Sequence, residues 1–174
     1  MAEEKIRSQV EDINRSIYDV KDKVEFSYKA ETGLTEEIIR GDIAIQDGII
    51  AGIGSFHGKE ERDLAGRYVC PGFIDSHLHL ESTLVTPAEL VTAASRHGTT
   101  TFIVDPHESA NVSGLAGVDY ILDQTENVKA NVYVMMPSCV PATAIDDNGC
   151  TLTAGDMAPY LHNSRILGLG EVMD

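Results

Sequence analysis

Apolar positions near the start of the chain recur with two different periods. Ile6, Val10, Ile13 and Ile17 are spaced by four, three and four positions with charged residues between them. That is the stripe of an amphipathic helix over about residues 3–19, within an N-terminal segment 1–22. The segment Val24-Glu-Phe-Ser-Tyr-Lys-Ala30 instead alternates with period two and reads as a half-buried strand. Asp47-Gly48 then separates Asp42–Gln46 from Ile49–Ile53, a two-residue hairpin signal, so residues 23–70 are expected to form a small antiparallel β domain.

At Pro71 the texture changes. Four short apolar runs follow, Gly72–Ser76, Thr99–Asp105, Asn131–Pro137 and Arg165–Glu171. They lack alternation, as expected of parallel strands covered on both faces. Helix-length segments lie between them. The first has Thr86 as N-cap, Pro87 at the first helical position, Glu89 as the partner in a Thr-x-x-Glu capping box and His97-Gly98 as a stop. The second covers about Leu115–Asn127, and the third runs from near Thr153 to His162-Asn163. A right-handed βα series leads to an open doubly wound sheet or to a closed barrel. A nucleotide-binding open sheet should carry a glycine-rich turn after its first strand, whereas this chain has His-Leu-His-Leu-Glu there, which favours the barrel. A (β/α)8 TIM-type barrel takes about 250 residues, so residues 71–174 are expected to be its first half, with the N-terminal portion of a longer protein before us.

Composition narrows the function. With 43% hydrophobic and 24% charged residues, the chain is neither collagen-like nor wholly disordered. Against 28 acidic residues stand 13 Lys and Arg, a net charge of −15. That surface disfavours nucleic acid and anionic membranes while leaving open a small neutral base or a cation as ligand. Cys70, Cys139 and Cys150 have no paired spacing and fit a reducing compartment. No apolar run reaches the roughly 20 residues of a membrane helix, and the N-terminus lacks the apolar core of a secretory signal. The expectation is a soluble, cytoplasmic protein.

In a barrel, side chains just past the C-terminal strand ends line the active site. Those positions hold Asp75-Ser-His-Leu-His79, Asp105-Pro-His-Glu108, Pro137-Ser-Cys139 and Glu171. His77 and His79 stand two apart, so on an extended backbone both imidazoles point the same way and can reach one ion. The alternative is two unrelated surface histidines, and their place at a strand end favours shared ligation. Glu171 follows Ile166-Leu-Gly-Leu-Gly170, where a carboxylate can bridge two divalent ions and the glycines leave room for it. His107 is open to three readings: holding substrate, relaying a proton or capping a loop. Glu81, Ser82 and Ser138 are weaker substrate-facing candidates. Cys139 lacks an identifiable activating base and reads as a buried small residue, and His57 and His97 are assigned to no site. His79-Leu-Glu81 also matches the H-x-E of zinc nucleobase deaminases, but Pro137-Ser-Cys-Val-Pro141 lacks the second cysteine of their P-C-x-x-C partner, which rejects that fold.

The run Pro71-Gly-Phe-Ile-Asp-Ser-His-Leu-His79 resembles the strand-one signature of the amidohydrolase superfamily, and GDIAIQDGIIAGIG resembles the N-terminal part of its composite β-sandwich. The longer strings PGFIDSHLHLESTLVTPAEL, HGTTTFIVDPHESANVSGLAG, MMPSCVPAT and ILGLGEVM resemble the adenine deaminase branch, over about residues 36–174. The resemblance implies a binuclear centre of manganese or iron, with zinc as a further option. His77 and His79 would hold one ion and Glu171 would be the bridging carboxylate. Related dihydroorotases and hydantoinases use a carbamylated lysine at that bridge, so Glu171 argues against them. The implied reaction is hydrolysis of adenine to hypoxanthine and ammonia by a metal-activated hydroxide. The family's remaining ligands come from later strands, so the 174-residue chain alone is expected to be inactive. Two other readings stand beside this one: a hydrolase of another cyclic amide or amidine, and a non-catalytic half-barrel that binds or assembles, as a homo-oligomer for example.

Overall fold

A computed structural model of the chain describes residues 26–33 and 38–173. The helix expected over residues 3–19 lies outside the described residues. The chain divides into two compact units, Met1–Pro71 and Gly72–Asp174.

The first unit is a four-stranded sheet of β1 (Phe26–Gly33), β2 (Ile38–Gln46), β3 (Ile49–Gly54) and β4 (Glu60–Val69), in the order β3-β2-β1-β4. The β2–β3 hairpin turns at Asp47-Gly48, both with positive φ (51° and 75°), the geometry that an Asp-Gly turn favours. The expectation of a wholly antiparallel sheet is corrected here, because β4 pairs parallel to β1. Local alternation specifies a strand but not its neighbour. The link after β3 carries β4 across to the free side of β1 instead of folding it back on β3. Within that link Phe56 is buried against Ala44 and Ala51, and its N–H donates to Asp42 Oδ2 at 2.9 Å. A Cβ on Gly52 would stand only 3.0 Å from the Phe56 ring, so the glycine opens the seat for it.

The second unit is a parallel sheet, β5 (Phe73–Leu78), β6 (Thr99–Val104), β7 (Asn131–Met136) and β8 (Ile166–Leu169), in sequence order. Between the strands lie α1 (Pro87–Ser95), α2 (His107–Ser113), α3 (Leu115–Gln124), the single turn α4 (Ala154–Met157) and a 3-10 segment Ala158–His162. Phe102, Val104, Val132, Val134 and Met136 of the central strands are buried against Val91 of α1, Ala110 of α2 and Val118, Ile121 and Leu122 of α3. Apart from Ala110, each such side chain contributes about 1.5–3 kcal/mol through apolar burial. The alternate positions Thr101, Ile103, Tyr133 and Met135 are only half-buried. The apolar runs were expected to be covered on both faces; among the described residues, helices cover one.

Helix ends follow local chemistry. Thr86 Oγ1 accepts the Glu89 N–H at 3.4 Å and Pro87 begins α1, but the full reciprocal box forms at Thr153 and Asp156 instead. The single helix expected after β6 is two. Gly114, with φ 63°, breaks α2 from α3, and a Cβ there would meet Cys150 Sγ at 2.5 Å. Among the described residues, no helix is long and apolar enough to cross a membrane.

Candidate metal centre

The stretch His77-Leu-His-Leu80 works by alternation. Leu80 is buried and Leu78 packs against the same core, so the intervening imidazoles are turned away from it. A register shift against β6 between Asp75 and Leu78 sets this phase. The two rings meet edge to face with centroids 4.9 Å apart. Both approach one carboxylate oxygen: Glu171 Oε1 is 2.9 Å from His77 Nε2 and 3.6 Å from His79 Nε2. Two imidazole nitrogens and a carboxylate oxygen within 4.8 Å of one another form a donor set suited to a divalent first-row ion.

Glu171 is held through its backbone. Its N–H donates to Asp105 Oδ2 at 2.8 Å, and its carbonyl accepts the Ser138 hydroxyl at 2.8 Å. The Gly170 N–H before it donates to the Met136 carbonyl at 2.7 Å. Gly170 is needed for close approach, since a Cβ there would lie 2.2 Å from Asp105 Oδ2. Gly168 makes only an ordinary contact, so the room attributed to both glycines belongs to Gly170.

Around this triad lies a shell of acids and hydroxyls. Asp105 is buried, and its Oδ1 stands 2.6 Å from His107 Nδ1. Burial disfavours charge on His107, but the hydrogen bond and charge of Asp105, with Glu171 behind them, outweigh it and raise the imidazole pKa. Glu108 Oε2 is 3.3 Å from His79 Nδ1, and Glu108 Oε1 accepts the Ser82 hydroxyl at 2.7 Å. Burial acts to raise Glu108, yet the Ser82 bond, the backbone, Glu81 and His79 together hold it below the usual carboxylate range. Glu81 is shifted upward by burial and by its neighbour Glu108, against backbone N–H groups that pull it down, one of them Ser109 at 3.1 Å.

A cavity of about 590 Å³ lies beside these groups, lined among others by His79, His107, Glu108, Cys139 and Glu171. The structure therefore brings His77, His79, Glu171 and His107 to one place, with Glu81 and Ser82 arranged behind Glu108. Ser138 is engaged with the Glu171 backbone. Cys139 Sγ accepts the Met173 N–H. His57 pairs with Glu61 in the other unit. The sequence places Asp105 and Glu108 at a strand end but assigns them no role. The Asp-Pro pair closing an apolar strand was the available signal for Asp105.

Residues 68–165, more than half of the chain, match the amidohydrolase family. The chain belongs to that family. It is 61% identical over 140 residues to the adenine deaminase of Desulfitobacterium hafniense (strain Y51), a span of 80% of this chain and 25% of that protein. It is 49% identical to the adenine deaminase of Geobacillus kaustophilus (strain HTA426), over 80% of this chain and 24% of the relative. The adenine deaminase 2 of Carboxydothermus hydrogenoformans is 51% identical over 80% of this chain and 25% of its own length. The amidohydrolase resemblance drawn from Pro71–His79 and the longer strings thus stands. The chain spans about a quarter of the length of these curated relatives.

Proposed function

We propose that this amidohydrolase segment supplies the first part of the catalytic centre of a cytoplasmic enzyme that hydrolyses adenine to hypoxanthine and ammonia. The observation that carries the reading is the convergence of His77, His79 and Glu171 on one point at the ends of the first and fourth strands of a parallel sheet. Mixed nitrogen and oxygen donors suit manganese or iron, and zinc as well. A divalent ion bound there supplies Lewis acidity and lowers the pKa of water toward neutrality.

The chain's own residues have definable tasks in this reading. His77 and His79 offer neutral Nε2 donors. Glu171 would neutralise positive charge and supply the bridging carboxylate between two ions. Asp105, Gly170 and Ser138 fix the backbone from which Glu171 projects. His107 and Glu108 border the cavity that would take a neutral heterocycle, and Glu81 and Ser82 stand behind Glu108. The half-buried sheet face of Ile103, Tyr133 and Met135 supports completion of a closed barrel by further strands, and GDIAIQDGIIAGIG supports a β-sandwich completed in the same way.

A second reading has one observation in its favour. Among the described residues no strand pairs with the outer edges of β5 and β8, and Ile74, Leu167 and Leu169 are exposed. An isolated chain of this kind associates through those surfaces, as a homo-oligomer or assembly module.

The deciding experiment places this chain's segment in the corresponding position of the Desulfitobacterium relative and measures ammonia release from adenine with added manganese. Turnover that disappears with His77→Ala or Glu171→Ala is expected. A folded, metal-loaded chimera that leaves adenine intact, or hydrolyses a cyclic amide instead, contradicts the proposal.

A further inference from the structure

Positive charge is scarce in the second unit and unevenly placed. Arg96, Lys129 and Arg165 are the only lysine or arginine residues between Gly72 and Asp174. Arg165 is engaged between α3 and the sheet, where it donates to the carbonyls of Leu122 and Val132. The other two line one cavity of about 460 Å³, together with Val91, Ser95, Asn127 and Val128. Arg96 precedes β6 and Lys129 precedes β7, and these neighbouring strands run parallel. The cavity therefore lies at the strand starts, whereas His77, His79 and Glu171 stand at strand ends. Each of the two strands has six residues, a rise of about 20 Å between these levels.

The lining of this cleft suits an anion that carries an apolar body. Val91 is buried and Val128 packs against the same core, which provides an apolar floor. The Ser95 hydroxyl is buried and has no hydrogen-bond partner among the described residues. Neither the Arg96 nor the Lys129 side chain has a partner among them. A helix carboxyl end favours cations, and that plainer role is open to Arg96 as the C-cap of α1. It accounts neither for Lys129 in the same cavity nor for the unpaired Ser95 hydroxyl. A cavity of this size lies within the range that holds small ligands.

We propose that the cleft binds a small phosphate-bearing molecule, with its phosphate between Arg96 and Lys129 and its apolar part on Val91 and Val128. The phosphate oxygens accept from guanidinium, ammonium and the Ser95 hydroxyl, and the Asn127 amide adds a donor. The site is independent of the adenine reading, because none of these residues belongs to the metal centre.

Phenyl phosphate carries both parts and is the probe for calorimetric titration of the full chain without added metal. Saturable binding in the millimolar range or tighter is expected, stronger than for inorganic phosphate and absent with phenol. Arg96→Met and Lys129→Met should each weaken it at least about tenfold, as loss of a charge-assisted hydrogen bond does. Ser95→Ala should weaken it about 2- to 10-fold without lowering the unfolding midpoint of the empty chain, where the hydroxyl makes no bond. His77→Ala should bind like the unmodified chain. Amide chemical shifts need no variant: those of Ser95, Arg96 and Lys129 should follow the same saturation curve, and those of His77 and His79 should stay still. Absence of saturable binding, affinity no higher than for inorganic phosphate, undiminished affinity in either cation variant, or shifts confined to the metal centre overturns the inference.

Discussion

Asp105 Oδ2 accepts the backbone N–H of Glu171 at 2.8 Å, joining the end of β6 to the end of β8 across the intervening strand β7. The backbone that carries the Glu171 carboxylate is thereby positioned by a buried acid 66 residues earlier in the chain. Removing that acceptor should weaken metal binding without removing a ligand. Asp105→Ala is expected to lower manganese affinity about 10- to 100-fold, the range typical of outer-shell partners, as read by equilibrium dialysis. Unchanged affinity would show that Glu171 does not depend on this contact.

Gly170→Ala tests the same junction by crowding it. The added methyl would start 2.2 Å from Asp105 Oδ2, so the carboxylate or the strand must shift. Stability should fall by about 1–3 kcal/mol in urea unfolding, with metal affinity falling alongside. Gly168→Ala, at ordinary contact distance, is the control and should cost far less.

Arg165 clamps the helical layer to the sheet. Its guanidinium donates to the Leu122 carbonyl at 2.8 Å, to the Val132 carbonyl at 3.1 Å and to the Thr125 hydroxyl. Lysine cannot reproduce that fork, so Arg165→Lys should destabilise the chain by about 1–3 kcal/mol. An unfolding midpoint equal to that of the unmodified chain contradicts this.

Tyr160 gives a pH signature away from the candidate centre. Burial, followed by its hydrogen bond to Asp119 Oδ1 at 2.7 Å, pushes the phenol up to about 12. A raised folded-state pKa means that this contribution is fully present below the ordinary tyrosine value of about 10. It is lost as pH rises through 12. The ring is only partly buried, so its bond is worth about 0.5 kcal/mol after solvent screening. Absorbance titration should show a tyrosinate step near 12 that is absent in Tyr160→Phe. Persistence of that step in the variant contradicts the assignment.

What could be read in advance was what short-range pattern controls. Apolar runs located β5 to β8, the Asp-Gly pair located the β2–β3 hairpin, and the two-residue spacing of His77 and His79 predicted that they share a side. What escaped depends on partners distant in sequence. Nothing local in Glu60–Val69 says that it pairs parallel with Phe26–Gly33. The helix His107–Ser113 has only seven residues, and it ends at Gly114, where a Cβ would meet Cys150 Sγ. Gly170 looked like spare room until Asp105 was placed against it. Ser138 carried a plausible hydroxyl, but only the fold shows it directed at the Glu171 carbonyl.

The central claim is that His77, His79 and Glu171 are ligands to one divalent ion. Equilibrium dialysis of the chain against manganese, followed by metal analysis, tests it most directly. The unmodified chain should retain at least one ion per molecule. His77→Ala, His79→Ala and Glu171→Ala should each weaken retention at least about a hundredfold, beyond the range of an outer-shell change, while His57→Ala should not. Equal retention by all four variants would contradict the account.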